Sequence, residues 1–261
     1  MPTLTISSPT SAVAADTGTN MKIGAVLGFN LIDYPGKIAA VAFTSGCNYT
    51  CPACHAKPLL GKGALINEED FFNYLGTVRG WVNAVVICGG EPTLHADLIE
   101  FIKRIKAENL AVKLDTNGSS PELLNRLLAD KLVDYVAMDV KGPRELWPNV
   151  CGRDDADADM AESMRIVTRF PAYEFRTTVV PVLRDAGEIS FLTVAEMAET
   201  ARQITEITGG GWHKYYIQKF VPRKDGLLDE RLETFPETPH QLLKEIKTEV
   251  LRYLPKCEIR G

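Results

Sequence analysis

The sequence lacks a large surplus of charge of either sign and has no long apolar run. It has 29 Lys and Arg against 34 Asp and Glu, which gives a formal net charge of -5 at pH 7. A chain with this balance has no strong positive field, so we do not expect binding to nucleic acid or to an anionic membrane surface. No stretch approaches the roughly 18 consecutive apolar residues of a membrane-spanning helix. These absences favour a protein or a small molecule as the partner.

The first 20 residues contain no Lys or Arg and are rich in Ser, Thr and Ala. They therefore lack the charged start of a secretory signal peptide and the arginine-rich pattern of a transit peptide. We predict that residues 1–20 are a disordered N-terminal extension. We predict that residues 21–261 form a single domain with a C-terminal helix, because α/β barrels of this length commonly fold as one unit.

The six cysteines do not have the even spacing of a secreted disulfide framework. Three of them fall within residues 47–54, and the others are scattered. This distribution indicates a reducing compartment, and we expect a cytoplasmic protein. We interpret Cys88 as a buried strand residue, and Cys151 and Cys257 as ordinary thiols.

The cysteine cluster has the spacing C-x3-C-x2-C, formed by Cys47, Cys51 and Cys54 directly after an apolar run. Three small hydrophobes on one helix face would also give this spacing, but Pro52 lacks an amide hydrogen and disfavours a continuous helix. A loop with inward-pointing thiols is typical of a zinc site or an iron–sulfur cluster. His55 is a poor fourth zinc ligand, because adjacent residues seldom reach one tetrahedral ion together. Three thiols without a fourth ligand suggest a 4Fe-4S cluster with one open iron, and zinc binding stays as the alternative.

Short β-rich segments alternate with amphipathic segments along the rest of the chain. We predict strands at 38–44, 84–88, 111–114, 135–140, 175–180 and 215–220. We predict helices at 67–78, 95–108, 120–130, 157–169, 193–208 and 238–253, with caps at Asn67, Ser120 and Thr193. Six βα units in series indicate a parallel sheet with right-handed crossovers. The expected fold class is α/β, a partial (β/α)6 TIM-type barrel that is open laterally and carries its site at the carboxyl ends of the strands.

Polar motifs lie at the ends of three predicted strands, and an arginine lies within the fifth. They are Gly89-Gly90-Glu91-Pro92, Asp115-Thr116-Asn117-Gly118, Met138-Asp139-Val140-Lys141 and the arginine of Phe175-Arg176-Thr177. Taken alone, the first motif is most often a tight turn, and the aspartates are turn formers or strand-end ion pairs. Arg176 taken alone is a salt-bridge partner of a neighbouring strand, since an arginine is costly to bury unpaired.

Together with the cysteine loop, these segments resemble the radical S-adenosylmethionine (SAM) enzymes. The resemblance implies that Cys47, Cys51 and Cys54 hold three irons of a 4Fe-4S cluster and that SAM chelates the fourth iron. The GGEP motif of that superfamily corresponds to Gly89, Gly90, Glu91 and Pro92. It implies that the glycine backbone and the Glu91 carboxylate accept hydrogen bonds from the SAM ammonium.

The next two motifs resemble the DTNG and D-x-K motifs of glycyl-radical-enzyme activating proteins. This resemblance implies a monovalent cation beside the SAM carboxylate, and hard oxygen ligands suit such an ion. The implied ligands are the side chains of Asp115 and Asp139 and the carbonyls of Thr116 and Ala137. The resemblance also implies that Lys141 attracts the SAM carboxylate and that Arg176 contacts SAM.

Residues 31–37, with the sequence LIDYPGK, and the cysteine loop resemble the longer form of the anaerobic ribonucleoside-triphosphate reductase activating proteins. This implies reductive cleavage of SAM to methionine and a 5'-deoxyadenosyl radical, which takes a hydrogen atom from a glycine Cα of a glycyl-radical enzyme. A flavodoxin- or ferredoxin-type protein would supply the electron. Two positions depart from the family: Ala53 replaces an aromatic residue near the adenine, and His55-Ala56 replaces a His-Asn pair.

Two other functions stay open at this point. A radical SAM enzyme acting on a small molecule or peptide would cleave SAM faster with that substrate and would need no partner enzyme. A non-catalytic iron–sulfur or zinc module would produce no 5'-deoxyadenosine from SAM and a reductant.

Overall fold

A computed structural model of the chain describes residues 21–61, 63, 65–153, 157–184, 187–224 and 226–261. The extension predicted for residues 1–20 lies outside the described residues. In the described part, no helix is long and apolar enough to cross a membrane.

Eight strands form one sheet, and a separate hairpin accompanies it. In chain order the strands are β1 (Ile23–Asn30), β2 (Ala39–Thr44), β3 (Ala84–Gly89), β4 (Ala111–Thr116), β5 (Tyr135–Asp139), β6 (Tyr173–Val179), β7 (Pro181–Leu183), β8 (Ile189–Phe191), β9 (Lys214–Lys219) and β10 (Lys256–Arg260). The order across the large sheet is β1-β2-β3-β4-β5-β6-β9-β10, and β7 pairs with β8. Every pair in the large sheet is parallel except β1 with β2.

The six predicted strands are confirmed, with ends that differ by at most about two residues, but the two edge strands of the large sheet and both strands of the hairpin were missed. Strand β1 contains Gly24 and Gly28, which interrupt the usual pattern of strand side chains. A Cβ on Gly28 would lie 1.7 Å from the Tyr74 hydroxyl, so the position has no room for a side chain. Strand β10 is short and mostly charged. The sheet therefore has seven parallel strands and one antiparallel edge strand. Among the described residues β1 and β10 do not pair, so the barrel is partial and open, as predicted.

Eight helices accompany the strands in the described part of the chain. They are α1 (Lys57–Leu60), α2 (Glu68–Val78), α3 (Leu98–Ala107), α4 (Pro121–Ala129), α5 (Trp147–Cys151), α6 (Asp157–Val167), α7 (Val194–Thr208) and α8 (His240–Val250). The caps predicted at Asn67 and Thr193 are confirmed: Asn67 accepts from the Glu69 amide, and Thr193 forms a capping box with Glu196. Ser120 is the N-cap residue of α4, as predicted, but its side chain makes no capping hydrogen bond.

Two helices begin later than predicted, for local reasons. Helix α3 begins at Leu98 because a 3-10 turn at Pro92–Leu94 and an extended His95 precede it. Helix α8 begins at His240 because the Thr238 hydroxyl is bonded elsewhere: it donates to the Val179 carbonyl at 2.9 Å and accepts from the Phe220 amide at 2.8 Å.

Side chains fill the amino-terminal end of the barrel and leave the other end for a site. Tyr34, from the loop after β1, is buried with Ala39 and Ala84, which begin β2 and β3. Its ring centroid lies 5.7 Å from that of Tyr135 at the start of β5. The carboxyl ends of the strands are thus the free end of the barrel, as expected for a fold of this type.

Candidate functional site

A cavity of about 640 Å³ lies at the carboxyl ends of the central strands. The predicted site residues that line it are Cys47, Cys51, Cys54, Gly89, Gly90, Glu91, Asp115, Thr116, Asp139, Lys141 and Arg176. Pro92 and Ala137 are buried and are not part of its lining. A smaller cavity of about 270 Å³ shares Cys51, Cys54 and Arg176 with it. The structure therefore brings the cysteine loop and the charged strand ends to one place.

The cysteine loop lies between β2 and α1 and is not helical, as Pro52 indicated. The Cys54 amide donates to the Cys51 carbonyl at 3.0 Å, which makes a tight turn. The amides of Tyr49 and Ala56 each donate at 3.4 Å to a cysteine sulfur, Cys47 and Cys54 respectively. Burial raises the pKa of Cys51 to about 12, so its free thiol is protonated and must release its proton when it binds a metal.

These donors fit a cluster better than a single ion. In the described part of the chain, no group of three His, Cys, Asp or Glu side chains is arranged to hold one metal ion. In an iron–sulfur cluster each thiolate binds a different iron, so three cysteines on one loop leave one iron without a protein ligand. Amide hydrogens directed at the sulfurs are the hydrogen bonds that stabilise such thiolates and tune the cluster potential.

The two glycines of the GGEP loop allow close contact with the cysteine loop. Gly89 has φ of +113°, and a Cβ there would lie 2.5 Å from the Thr44 amide nitrogen. A Cβ on Gly90 would lie 1.9 Å from the Gly46 carbonyl oxygen. The Gly90 and Glu91 amides donate to the carbonyls of Thr44 and Gly46 at 2.9 and 2.8 Å. These contacts leave no room for a side chain at either glycine, so both positions require glycine for packing alone.

Glu91 joins the GGEP loop to the DTNG loop. Its side chain is buried, and Oε1 accepts from the Thr93 amide at 3.1 Å and from the hydroxyls of Thr93 and Thr116 at 2.6 and 2.8 Å. Oε2 accepts from the Asn117 amide at 2.6 Å. Burial raises the pKa of Glu91, and these hydrogen bonds oppose that rise. The Glu91 carboxylate, which was expected to contact SAM, thus accepts hydrogen bonds from the protein and connects two loops of the site.

Asn117 continues this connection to the cysteine loop, a role that the sequence did not reveal. Its Nδ2 donates to Asn48 Oδ1 at 2.9 Å and lies 3.9 Å from the Cys47 sulfur. A side-chain amide has two hydrogens, so it can serve both acceptors. The DTNG motif is the only sequence signal for this contact.

Five charged side chains form a network across β4, β5 and β6. Arg176 bridges the two aspartates, with Nη1 at 2.8 Å from Asp115 Oδ2 and Nε at 2.9 Å from Asp139 Oδ1. Lys141 Nζ lies 3.0 Å from Asp139 Oδ2. Lys113 forms an ion pair with Asp115 Oδ1. Arg176 therefore makes the inter-strand salt bridge that its residue type predicts.

The network shifts the proton affinities of its members. Burial alone would raise the pKa of Asp139, but Arg176 and Lys141 outweigh it and hold this pKa well below its ordinary value. Burial alone would lower the pKa of Lys141, but Asp139 outweighs it and raises this pKa. Both groups are therefore charged across the physiological pH range.

Two features of the site were missed from the sequence. Lys113 lies two residues before Asp115 on β4, so both side chains face the same side of the strand, and this alternation was the available signal. Cys88 lines the cavity instead of being fully buried, because β3 ends beside the site.

The small side chain of Ala53 lies in the smaller cavity. Val180, His55 and Phe220 line the same space, and the rings of His55 and Phe220 are 5.6 Å apart. The His55 Nε2 atom is buried and has no hydrogen-bond partner among the described residues. Aromatic groups are thus present beside the cysteine loop, although none is at position 53.

A second charged cluster lies further inside the barrel. Glu174, two residues before Arg176 on β6, is completely buried and is paired with Arg260 of β10 at 2.7 and 3.0 Å. The Tyr135 hydroxyl donates to the same carboxylate at 2.6 Å. The Arg260 guanidinium lies 3.6 Å from the centroid of the Tyr216 ring. This cluster ties the last strand to the strand that carries Arg176.

Comparisons with known proteins agree with this geometry. A protein of Methanocaldococcus jannaschii, provisionally named a glycyl-radical enzyme activating enzyme, is 33% identical over 245 residues, which cover 91% of this chain and 95% of that protein. A protein of Thermococcus kodakarensis, provisionally named a GTP 3',8-cyclase, is 28% identical over 199 residues, which cover 74% of this chain and 64% of that protein.

Solved structures share the fold at low identity. Streptococcus suis SuiB bound to precursor peptide SuiA matches with a TM-score of 0.62 and 13% identity, over 85% of this chain and 48% of that one. TYW1 with a lysine-pyruvate adduct matches with a TM-score of 0.55 and 12% identity, over 83% of this chain and 74% of that one. Residues 41–198, more than half of the sequence, match the Radical SAM superfamily, and the chain belongs to this superfamily.

Proposed function

We propose that this radical SAM enzyme activates a glycyl-radical enzyme, and that its protein substrate is an anaerobic ribonucleotide reductase. The observation that carries the proposal is the similarity to the M. jannaschii protein, because it extends over nearly the full length of both chains. The resemblance of residues 31–37 to the reductase activating proteins supports the choice of partner. The unpaired state of all six cysteines is compatible with the cytoplasmic location that is part of the proposal.

The superfamily uses a 4Fe-4S cluster and SAM, and this chain has the three cysteines. In the proposal Cys47, Cys51 and Cys54 hold the cluster, and SAM lies in the same cavity. Lys141 and Arg176 face the SAM carboxylate, and the backbone at residues 89–90 faces its ammonium. Glu91 and Pro92 act by fixing the loop. The cationic side chains in the cavity wall support this assignment, since a carboxylate in a partly buried site needs such partners.

When bound, the cluster and SAM supply a one-electron cleavage of SAM to methionine and a 5'-deoxyadenosyl radical. The balance of the whole reaction needs one electron from a flavodoxin- or ferredoxin-type donor and one hydrogen atom from a glycine Cα. The products are methionine, 5'-deoxyadenosine and a glycyl radical in the partner. The protein's task is to bind, orient and shield, because the cofactors carry the reaction.

The open side of the barrel supports a protein substrate. The sheet ends at β1 on one side and at β10 on the other, and these edges are unpaired with each other in the described residues. A gap between edge strands admits an extended backbone segment, which a closed barrel would exclude. A glycine-bearing loop of a partner enzyme is such a segment.

The test is electron paramagnetic resonance (EPR) of the anaerobically reconstituted protein mixed with reductant, SAM and candidate glycyl-radical enzymes. We expect the doublet of a glycyl radical with the anaerobic ribonucleotide reductase of the same organism. No doublet with any candidate, although SAM is cleaved, would reject the proposal. The similarity to the T. kodakarensis protein favours a nucleotide-converting enzyme as second candidate, and that function predicts SAM cleavage stimulated by a nucleoside triphosphate without a partner protein.

A further inference from the structure

The pair Asp115 and Asp139 has no free carboxylate oxygen for a metal ion. Arg176 occupies one oxygen of each carboxylate at 2.8 and 2.9 Å. Lys113 and Lys141 occupy the two remaining oxygens. Oxygens that accept charge-assisted hydrogen bonds are poor ligands for an alkali-metal ion unless those donors leave.

One of the other two oxygens implied for such an ion is also unfavourable. They are the carbonyls of Thr116 and Ala137, and Ala137 is completely buried within β5 and does not line the cavity. Residue 137 lies opposite Asp115 and Glu174 in the strand register, so its peptide is part of the sheet ladder on both sides.

The ammonium of Lys113 is the unusual member of this group. Its side chain is 2% exposed, and its Nζ lies 5.8 Å from the centroid of the Tyr135 ring. A lysine is almost never fully buried without a partner, and the partner here is Asp115. Because β4 directs both side chains to the interior, the Lys113 ammonium lies beside the aspartate that the cation would bind.

The formal charges of the network leave no negative excess for a soluble cation to neutralise. Lys113, Lys141 and Arg176 contribute three positive charges against two negative charges on Asp115 and Asp139. The excess of one positive charge would face the carboxylate of SAM. A further cation would double the excess in a partly buried site, where unpaired charge is costly.

We propose that the ammonium of Lys113 replaces the monovalent cation at the aspartate pair, so that this protein binds SAM without sodium or potassium. Lys113 is then a positioning residue: it holds Asp115, which with Asp139 orients Arg176 toward the cofactor. This inference rests on the proposed SAM site.

The test measures SAM affinity by isothermal titration calorimetry of the protein with its cluster oxidised, a state that cannot cleave SAM. The buffer contains tetramethylammonium chloride, and potassium or sodium chloride replaces it at constant ionic strength. For the wild type we expect the same affinity in all three salts. For Lys113→Ala we expect about a tenfold loss of affinity in tetramethylammonium and recovery in potassium or sodium. Lys113→Arg keeps the charge and should remain independent of the salt.

Lys103→Ala is the matched control, because Lys103 is half exposed on α3 and pairs only with its neighbour Glu100 in the described structure. A wild type that binds SAM much more tightly in potassium or sodium overturns the inference, and so does a folded Lys113→Ala that binds SAM like the wild type in every salt. If Lys113→Ala does not fold, the wild-type salt series and Lys113→Arg decide. A wild type that fails to bind SAM in any salt rejects the proposed SAM site itself.

Discussion

Replacing Arg260 by alanine should destabilise the protein through a single buried carboxylate. Glu174 is 0% exposed, and Arg260 gives it two of the three hydrogen bonds that the structure shows. Removing one partner of a buried ion pair costs about 3–5 kcal/mol, because the remaining charge stays desolvated. Since Arg260 is itself 34% exposed, we expect a loss near the lower end, about 3 kcal/mol in the free energy of unfolding.

The sign of the pH dependence follows from the proton affinity of Glu174. Burial alone would raise its pKa, but Arg260 and Tyr135 outweigh this and hold the pKa below its ordinary value of 4.5. The stabilisation is therefore fully present above pH 4.5 and is lost as the pH falls through the lower pKa of the folded state. The deficit of Arg260→Ala should accordingly be full at neutral pH and shrink in acid.

The assay is urea unfolding of the metal-free protein followed by circular dichroism at neutral and acidic pH. Arg252→Ala is the control, since Arg252 is 70% exposed and pairs with Glu249 on the surface, where such pairs contribute about 0–1 kcal/mol. Equal stabilities for the two variants, or a deficit of Arg260→Ala that does not shrink in acid, would refute the reasoning. Either result would also question the position of β10.

Three further predictions concern the site. Cys51→Ala should abolish the formation of 5'-deoxyadenosine from SAM and dithionite. The control Cys257→Ala, in β10, should retain this activity. SAM cleavage by Cys51→Ala would contradict the ligand assignment. Asn117→Ala should make the cluster potential more negative in an EPR redox titration, because a hydrogen-bond donor near a cluster sulfur is lost; an unchanged potential would exclude that contact. Gly90→Ala should lower the free energy of unfolding in urea by more than about 3 kcal/mol, since the added Cβ would lie 1.9 Å from a carbonyl oxygen. Gly76→Ala in α2 should raise it by about 0.5–1 kcal/mol. Similar changes in the two variants would contradict the loop packing.

The central fold could be predicted because its signals are local. The buried parallel strands are continuous apolar runs such as residues 84–88, and each is followed by a turn motif and an amphipathic helix. The carboxyl ends of parallel strands meet at one edge, so the motifs at Glu91, Asp115 and Asp139 had to lie close together. The capping box of Thr193 is equally local.

The missed features depend on contacts that are distant in sequence. The role of Arg260 in strand β10 depends on its pairing with Glu174, 86 positions earlier. Position 90 must be glycine because the Gly46 carbonyl lies too close for a side chain. No pattern around the GGEP motif reveals this contact. The hydrogen bonds of Glu91 likewise depend on how two loops pack. From the sequence alone, a contact between Glu91 and SAM could therefore not be distinguished from a structural role of Glu91.

The most direct test of the central claim follows a hydrogen atom from partner to cofactor. The reconstituted protein is incubated with reductant, SAM and an anaerobic ribonucleotide reductase whose glycine residues carry deuterium at Cα, and the 5'-deoxyadenosine is analysed by mass spectrometry. We predict one deuterium in 5'-deoxyadenosine, in an amount equal to the glycyl radical formed. Abundant 5'-deoxyadenosine without deuterium would contradict the account.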